Sequence, residues 1–293
     1  MGCSGNVQRG IGAALVVWVS SGCGDHPQAT TEHDVRVGEA HQPIISGAPA
    51  DGDRAVVGLV YELGSARALL CTGTLVASRW VVTAAHCAVP LQPVAIAVGS
   101  SFDESVEVGV QQSVLHPGFD ADTLDHDLAL LRLFEAPDAA PLELAPRDQP
   151  STEGDLVRLV GFGLTAEDEP RRKRQGTAQI TESERHSFRV EAAPSLPCSG
   201  DSGGPAFATV DDRELLVGVL SSGDWECVDH GTYVRVASYR DFLDEVTRDD
   251  EASPAAGCAL PSGGTSSPNH WLVLAAIASL VVTARRRREL SIS

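Results

Sequence analysis

Aromatic residues are scarce in this chain, with three Tyr, seven Phe and four Trp among 293 residues. A core built from it must rely on Val, Leu, Ala and Ile. The hydrophobic fraction is still 43%, enough to pack a core, which excludes a globally disordered chain. Basic residues are also few: 22 Lys and Arg stand against 40 Asp and Glu, a formal net charge of −18. A surface of that sign repels phosphates, so no nucleic-acid partner is expected. No His-Glu-x-x-His or comparable ligand spacing occurs, so the expected metal and cofactor content is none. No apolar run approaches the roughly 20 residues of a comfortable membrane span.

The two longest apolar runs sit at the ends. Arg9, the run Ile11 to Val19 and then Ser20-Ser21-Gly22-Cys23 have the layout of a secretory signal peptide, assigned to 1–23. The small residues before Cys23 also fit a lipoprotein signal, although Ser20 stands where an aliphatic residue is usual. At the other end, Trp271 to Ala284 is followed by Arg285 to Arg288, an arrangement that anchors a segment at a membrane from the cytoplasmic side. With Gly257-Cys258 ahead of it, this end resembles bacterial sorting tails of the MYXO-CTERM type; a plain C-terminal membrane anchor is the alternative. Between them the reading assigns a pro-segment or linker to 24–43, one domain to 44–247, a polar linker to 248–270 and the hydrophobic, Arg-rich tail to 271–293. An exported protein, secreted or held at the cell envelope, is expected.

Within 44–247 short β-rich runs alternate with Gly, Pro, Asp and Ser, as in Ala55–Tyr61, Ala68–Val76, Val94–Val98, Leu156–Val160 and Leu215–Leu220. Such a pattern belongs to an all-β sandwich or barrel. Only Tyr239 to Val246 has a helical period, with Phe242, Leu243 and Val246 on one face. The domain holds four cysteines, Cys71, Cys87, Cys198 and Cys227, which allow three pairings.

Three segments carry chemistry. Val81-Val82-Thr83-Ala84-Ala85-His86-Cys87 brings a His to the end of an apolar strand. Asp125-His126-Asp127-Leu128-Ala129-Leu130-Leu131 sets a carboxylate at the start of another. Pro197-Cys198-Ser199-Gly200-Asp201-Ser202-Gly203-Gly204-Pro205 places a Ser between glycines. A hydroxyl becomes a nucleophile when a base takes its proton, and an imidazole does so near neutral pH. A carboxylate fixes the imidazole tautomer, and backbone N–H groups meet the oxyanion that forms. Gly200 to Gly204 also fits the elbow of α/β-hydrolases, but those place the acid and the His after the Ser, and only His230 and His270 follow Ser202.

Taken together, Thr83-Ala84-Ala85-His86-Cys87, Asp127-Leu128-Ala129-Leu130-Leu131 and Gly200-Asp201-Ser202-Gly203-Gly204-Pro205 resemble the three signatures of the trypsin-like serine proteases, peptidase family S1. The resemblance runs over about 44–247. It implies two antiparallel six-stranded β-barrels, near 44–150 and 151–237, with a C-terminal helix. It also implies a Ser-His-Asp endopeptidase that acts on a protein or peptide substrate through an acyl-enzyme. By the same resemblance His86 is the general base, Asp127 rather than Asp125 orients it, and Ser202 is the nucleophile. The N–H groups of Gly200 and Ser202 form the oxyanion hole. Cys71 pairs with Cys87, and Cys198 with Cys227. Ser221 hydrogen-bonds the carboxylate. The pocket positions fall on Leu196, Gly223 and Gly231, with no charge at Leu196, which implies cleavage after apolar residues. Asp224, Trp225 and Glu226 stand near the pocket rim.

Ile44-Ile45-Ser46-Gly47 resembles the start of a mature enzyme of the family, whose new ammonium pairs with the Asp before the Ser, here Asp201. Pro43 departs from the basic residue usual at that cut and implies an unusual activating protease. Ser222 and Phe162 each stand where the family has Trp, and the span from Gly161 to Ser202 is short. The family's acidic calcium loop is not recognisable after His86. Arg171-Arg172-Lys173-Arg174 reads as an exposed, solvated loop. The rival is a catalytically silent homologue that serves as a scaffold at the cell envelope; the altered groove favours it, and intact His86, Asp127 and Ser202 oppose it.

Overall fold

The computed structural model describes residues 44, 46–148, 151–163, 172–224 and 226–248. The leader assigned to 1–23, the segment 24–43 with Pro43, the linker beyond residue 248, the tail 271–293, Arg171 and Trp225 lie outside the described residues. No helix among the described residues is long and apolar enough to cross a membrane.

A first barrel closes from six antiparallel strands: β2 (Val56–Leu63), β3 (Ala66–Ala77), β4 (Trp80–Thr83), β5 (Ala95–Val98), β6 (Val106–Leu115) and β7 (Ala129–Leu133), in the order β2-β3-β4-β7-β6-β5. The second comprises β8 (Leu156–Gly161), β9 (Arg174–Ser183), β10 (Ser187–Ala192), β11 (Pro205–Val210), β12 (Arg213–Gly223) and β13 (Gly231–Arg235). Its order is β9-β10-β13-β12-β11-β8, and pairing of β8 with β9 closes it. This is the two-barrel architecture that the resemblance implied, followed by one helix, α1 (Arg240–Arg248). Leu243 of α1 is fully buried, and Phe242 and Val246 pack beside it, the face expected from their spacing.

Several strands read as unbroken apolar runs because both of their faces are buried. In β4, Val81 points into the first barrel's core with Leu59, Ile96 and Leu131, whereas Val82 points toward the second barrel, with Leu130, Val160 and Val219. Where one face meets solvent, as in β6 with its sequence VEVGVQQSVL, the run is diluted by polar residues and escapes a hydrophobic scan. In the second barrel Phe188 and Tyr233 are register partners whose rings stack at 5.4 Å, one of the few aromatic pairs this sequence can supply. A Cβ on Gly218 would come within 2.4 Å of the Phe188 ring, so a glycine there makes room for the pair.

Two expectations need correction. The opening of the first-barrel segment belongs to the second sheet: β1 (Ala48–Pro49) pairs with β9, Ala48 opposite Gln175. The chain must reach the second barrel there because Ile44 is anchored in it. The basic run is not a solvated loop either. Arg172 is exposed and Arg174 begins β9, but Lys173 is 1% exposed. Its ammonium donates to the main-chain oxygens of Asp53 and Val56 (the latter at 3.1 Å) and lies 5.6 Å from the centre of the Phe162 ring. Those oxygens come from residues more than a hundred positions away in sequence, so no local reading could supply them.

Burial lowers the Lys173 pKa from 10.5 to about 8, against the attraction of Asp53. The unfolded chain then binds a proton that the folded chain has released, between pH 8 and 10.5. Stability contributed by this group is therefore flat below pH 8 and rises with pH across that window. Lys173→Met is expected to flatten the rise in denaturant-unfolding free energy over that range. An identical slope in wild type and variant would show that the ammonium does not titrate in this way.

Candidate active site

His86 follows β4 in a short 3-10 turn, Ala85–Ala88. The disulfide between Cys71 and Cys87 ties that turn to β3. The Tyr61 hydroxyl, kept protonated by burial, donates to the Cys87 carbonyl. The His86 ring is partly open, with 29% of its side chain exposed.

Asp127 precedes β7 and is wholly buried. Its Oδ1 accepts from the His86 backbone N–H at 2.8 Å, and its Oδ2 lies 2.7 Å from His86 Nδ1. The Ser221 hydroxyl donates to the same Oδ2 at 2.6 Å. A carboxylate that accepts at Nδ1 favours the tautomer with the proton there and an open Nε2. The neighbouring Asp125 is exposed, whereas Asp127 is buried. His126, between the two, has φ of 53° and places its Nδ1 2.9 Å from the Tyr239 hydroxyl. Burial, helped by the charge of Asp125, pushes Tyr239 up to about 12, so the phenol stays protonated.

Ser202 lies on the loop between Cys198, which is disulfide-bonded to Cys227, and β11. Gly200 and Gly203 adopt φ of 94° and 79°, the region that disfavours side chains. At Gly203 space is also closed, since a Cβ would stand 2.0 Å from Thr83 Oγ1. Asp201 points away from the cavity and is 1% exposed. Its carboxylate accepts from the backbone N–H of Ile44 at 3.2 Å, Cys198 at 2.9 Å and Gly163 at 2.8 Å. Gly161 and Gly163 are small by necessity, because a Cβ at either would come within 2.1 and 2.6 Å of that carboxylate. Burial, with the Asp201 charge adding, holds the Tyr233 phenol well above its ordinary range and hence neutral.

His86 and Ser202 open onto one cavity of about 390 Å³, whose walls include Pro197, Cys198, Ser222 and Gly223. One sequence-selected pocket residue, Leu196, does not line this cavity. Leu196 is 2% exposed and packs in the second barrel's core. Gly231 faces Pro197, whose Cγ is 2.5 Å from where a Cβ of Gly231 would be. Pro197 therefore forms a wall beside Gly231, and Leu196, expected at the pocket base, does not line the cavity. Asp224 lines the cavity, yet its carboxylate is taken up by the backbone N–H groups of Val228, Asp229 and His230. Burial pushes its pKa up, but these bonds outweigh it and leave the group below its ordinary value, ionised and engaged. Among the described residues one cluster, Cys71, His86 and Cys87, has three metal-ligand atoms close together; the disulfide leaves neither sulfur as a thiolate to bind an ion.

The sequence reading missed two residues of this region. Pro197 sits one place beyond the position selected by offset. Thr72, in β3, donates to the Gly200 carbonyl, and its only sequence signal is its place beside Cys71.

The family model described as Trypsin matches residues 44–243. The chain is similar to Serine protease 56 of Homo sapiens, 32% identical over 76% of this chain and 41% of that protein. It is also similar to Trypsin 5G1 of Aedes aegypti, 34% identical over 60% of this chain and 75% of that protein. A third relative is Vitamin K-dependent protein C of Oryctolagus cuniculus, 28% identical over 67% of this chain and 50% of that protein. The chain thus spans less than half the length of the human Serine protease 56 that it matches.

Proposed function

The chain belongs to the trypsin family, whose members are serine-type endopeptidases, and from that premise we propose that it hydrolyses peptide bonds through Ser202, His86 and Asp127. The observation that carries the reading is the buried Asp127 carboxylate, which holds both His86 N–H groups while Ser202 opens onto the cavity that His86 lines. In the proposed reaction Ser202 Oγ attacks the substrate carbonyl as its proton passes to His86 Nε2. Asp127 stays ionised and stabilises the imidazolium. The N–H groups of Gly200 and Ser202 receive the oxyanion. His86 then gives its proton to the leaving amine, and an acyl-enzyme remains. Water attacks this ester by the same steps in reverse order, which restores Ser202 and releases the acid. No step calls for a cofactor.

The substrate pocket supports an apolar preference. Pro197, Ser222 and Gly223 offer no charge, and Asp224 is occupied by its own loop. A substrate Arg or Lys would be desolvated there without a partner. Pro197 narrows the slot beside Gly231, so medium apolar residues fit better than large ones. A peptide library should show cleavage after such residues; preference for Arg or Lys would refute the assignment.

Two disulfides fit a protein exported to an oxidising compartment. Attachment to a membrane through 271–293, and processing of the leader at 1–23, belong to the same proposal. Reaction of the whole protein with a fluorophosphonate probe tests the enzymatic reading. Absence of labelling, with the protein folded and its N-terminus at Ile44, would favour the silent scaffold.

A further inference from the structure

Thr72 makes more contacts with the Ser202 loop than its place in another barrel requires. It is wholly buried in β3. Its backbone N–H donates to the Ser202 carbonyl at 2.8 Å. Its hydroxyl donates to the Gly200 carbonyl at 3.0 Å and accepts from the Phe162 N–H at 3.1 Å. Its own carbonyl accepts from the Thr83 hydroxyl at 2.8 Å. Because the oxygen already accepts from Phe162, its one hydrogen is left for Gly200.

We propose that Thr72 is the positioning residue of the oxyanion site, a reading that rests on the proposed protease activity. The two N–H groups assigned to the oxyanion belong to Gly200 and Ser202, and Thr72 holds the carbonyls of both residues. Gly200 is at φ 94°, a conformation with little intrinsic preference to keep it there. Holding its carbonyl restricts ψ on one side, and the Asp201 carboxylate, bonded to Cys198 and Gly163, restricts the chain on the other. With both sides fixed, the N–H groups keep their direction before the substrate arrives, which is where oxyanion stabilisation gains over water. Thr72 does not line the cavity, so it acts on the transition state through the loop and leaves ground-state binding alone.

The experiment compares Thr72→Val, which keeps shape and removes the hydroxyl, with Thr72→Ser, which keeps the hydroxyl. On a peptide substrate Thr72→Val should lower kcat about tenfold or more with KM within about twofold, less than the loss from deleting a donor outright. Affinity for a peptide aldehyde, which forms the tetrahedral adduct, should fall in step with kcat/KM. Thr72→Ser should restore kcat to within about threefold. Thr72→Ala gives the same readout if the valine protein fails to fold. Wild-type kcat in the valine or alanine protein, a change in KM alone, or failure of serine to rescue would overturn the inference while the protease reading stands. An inactive wild type would end both.

Discussion

Ser202→Ala is expected to lower kcat on a peptide substrate by about a millionfold, and His86→Ala by a similar factor, because the two groups act as one unit. The double variant should be scarcely worse than either single one. The reason lies in the geometry. In the proposed mechanism Asp127, wholly buried and 2.7 Å from Nδ1, fixes the proton there, so that His86 Nε2 acts as the base. Without His86 the Ser202 hydroxyl is a weak nucleophile, and without Ser202 the base has nothing to activate. Asp127→Asn should cost about 10⁴-fold, since an amide can present N–H to Nδ1 and favour the wrong tautomer. Steady-state kinetics and fluorophosphonate labelling check all three. Labelling of the Ser202→Ala protein at the wild-type rate would place the nucleophile elsewhere.

Activity should also depend on a free amino group at Ile44. Ile44 is 1% exposed, and its nitrogen stands 3.2 Å from Asp201 Oδ2. As a peptide N–H it makes a hydrogen bond to a charge. As an ammonium it would form a buried ion pair, and breaking such a pair costs about 3–5 kcal/mol. Protein that begins at Ile44 should therefore turn over about a hundredfold faster, or more, than protein with residues ahead of it, and Asp201→Asn should remove that advantage. The coupling reaches catalysis because Asp201 sits between Gly200 and Ser202 and also holds the Cys198 N–H at 2.9 Å. N-terminal sequencing of the active form should read Ile44-Ile45-Ser46-Gly47. Full activity in an uncut chain would show that the oxyanion loop needs no ammonium, and would remove the case for an activating protease.

Much of this site is legible in the amino-acid sequence. His86, Asp127 and Ser202 each lie in a short segment whose local chemistry is distinctive: a His at the end of an apolar strand, an Asp at the start of another, a Ser between glycines. Gly200 and Gly203 read as positions of unusual backbone, and both have positive φ. The helix beginning at Arg240 is visible through its period because only one of its faces is buried. Strands such as β6 and β10, half exposed and mixed in character, carry no such signal.

Residue order and local pattern determined that the chain is all-β and which segments carry chemistry. Tertiary structure joined Cys71 to Cys87 and Cys198 to Cys227, the pairing that local pattern left open among three and the family resemblance implied, since each pair joins strands or loops that meet only after the barrels close. It decided that Lys173, in a run of four basic residues, is buried, because its acceptors come from Asp53 and Val56. It put Pro197 rather than Leu196 on the cavity wall, for adjacent residues in extended chain point opposite ways and sequence does not mark which way is in. It brought Thr72 to Gly200, 128 positions later in the chain. For Lys173 and Thr72 the deciding energy is that of burying a polar or charged group, and it depends on partners that only the folded chain brings within reach.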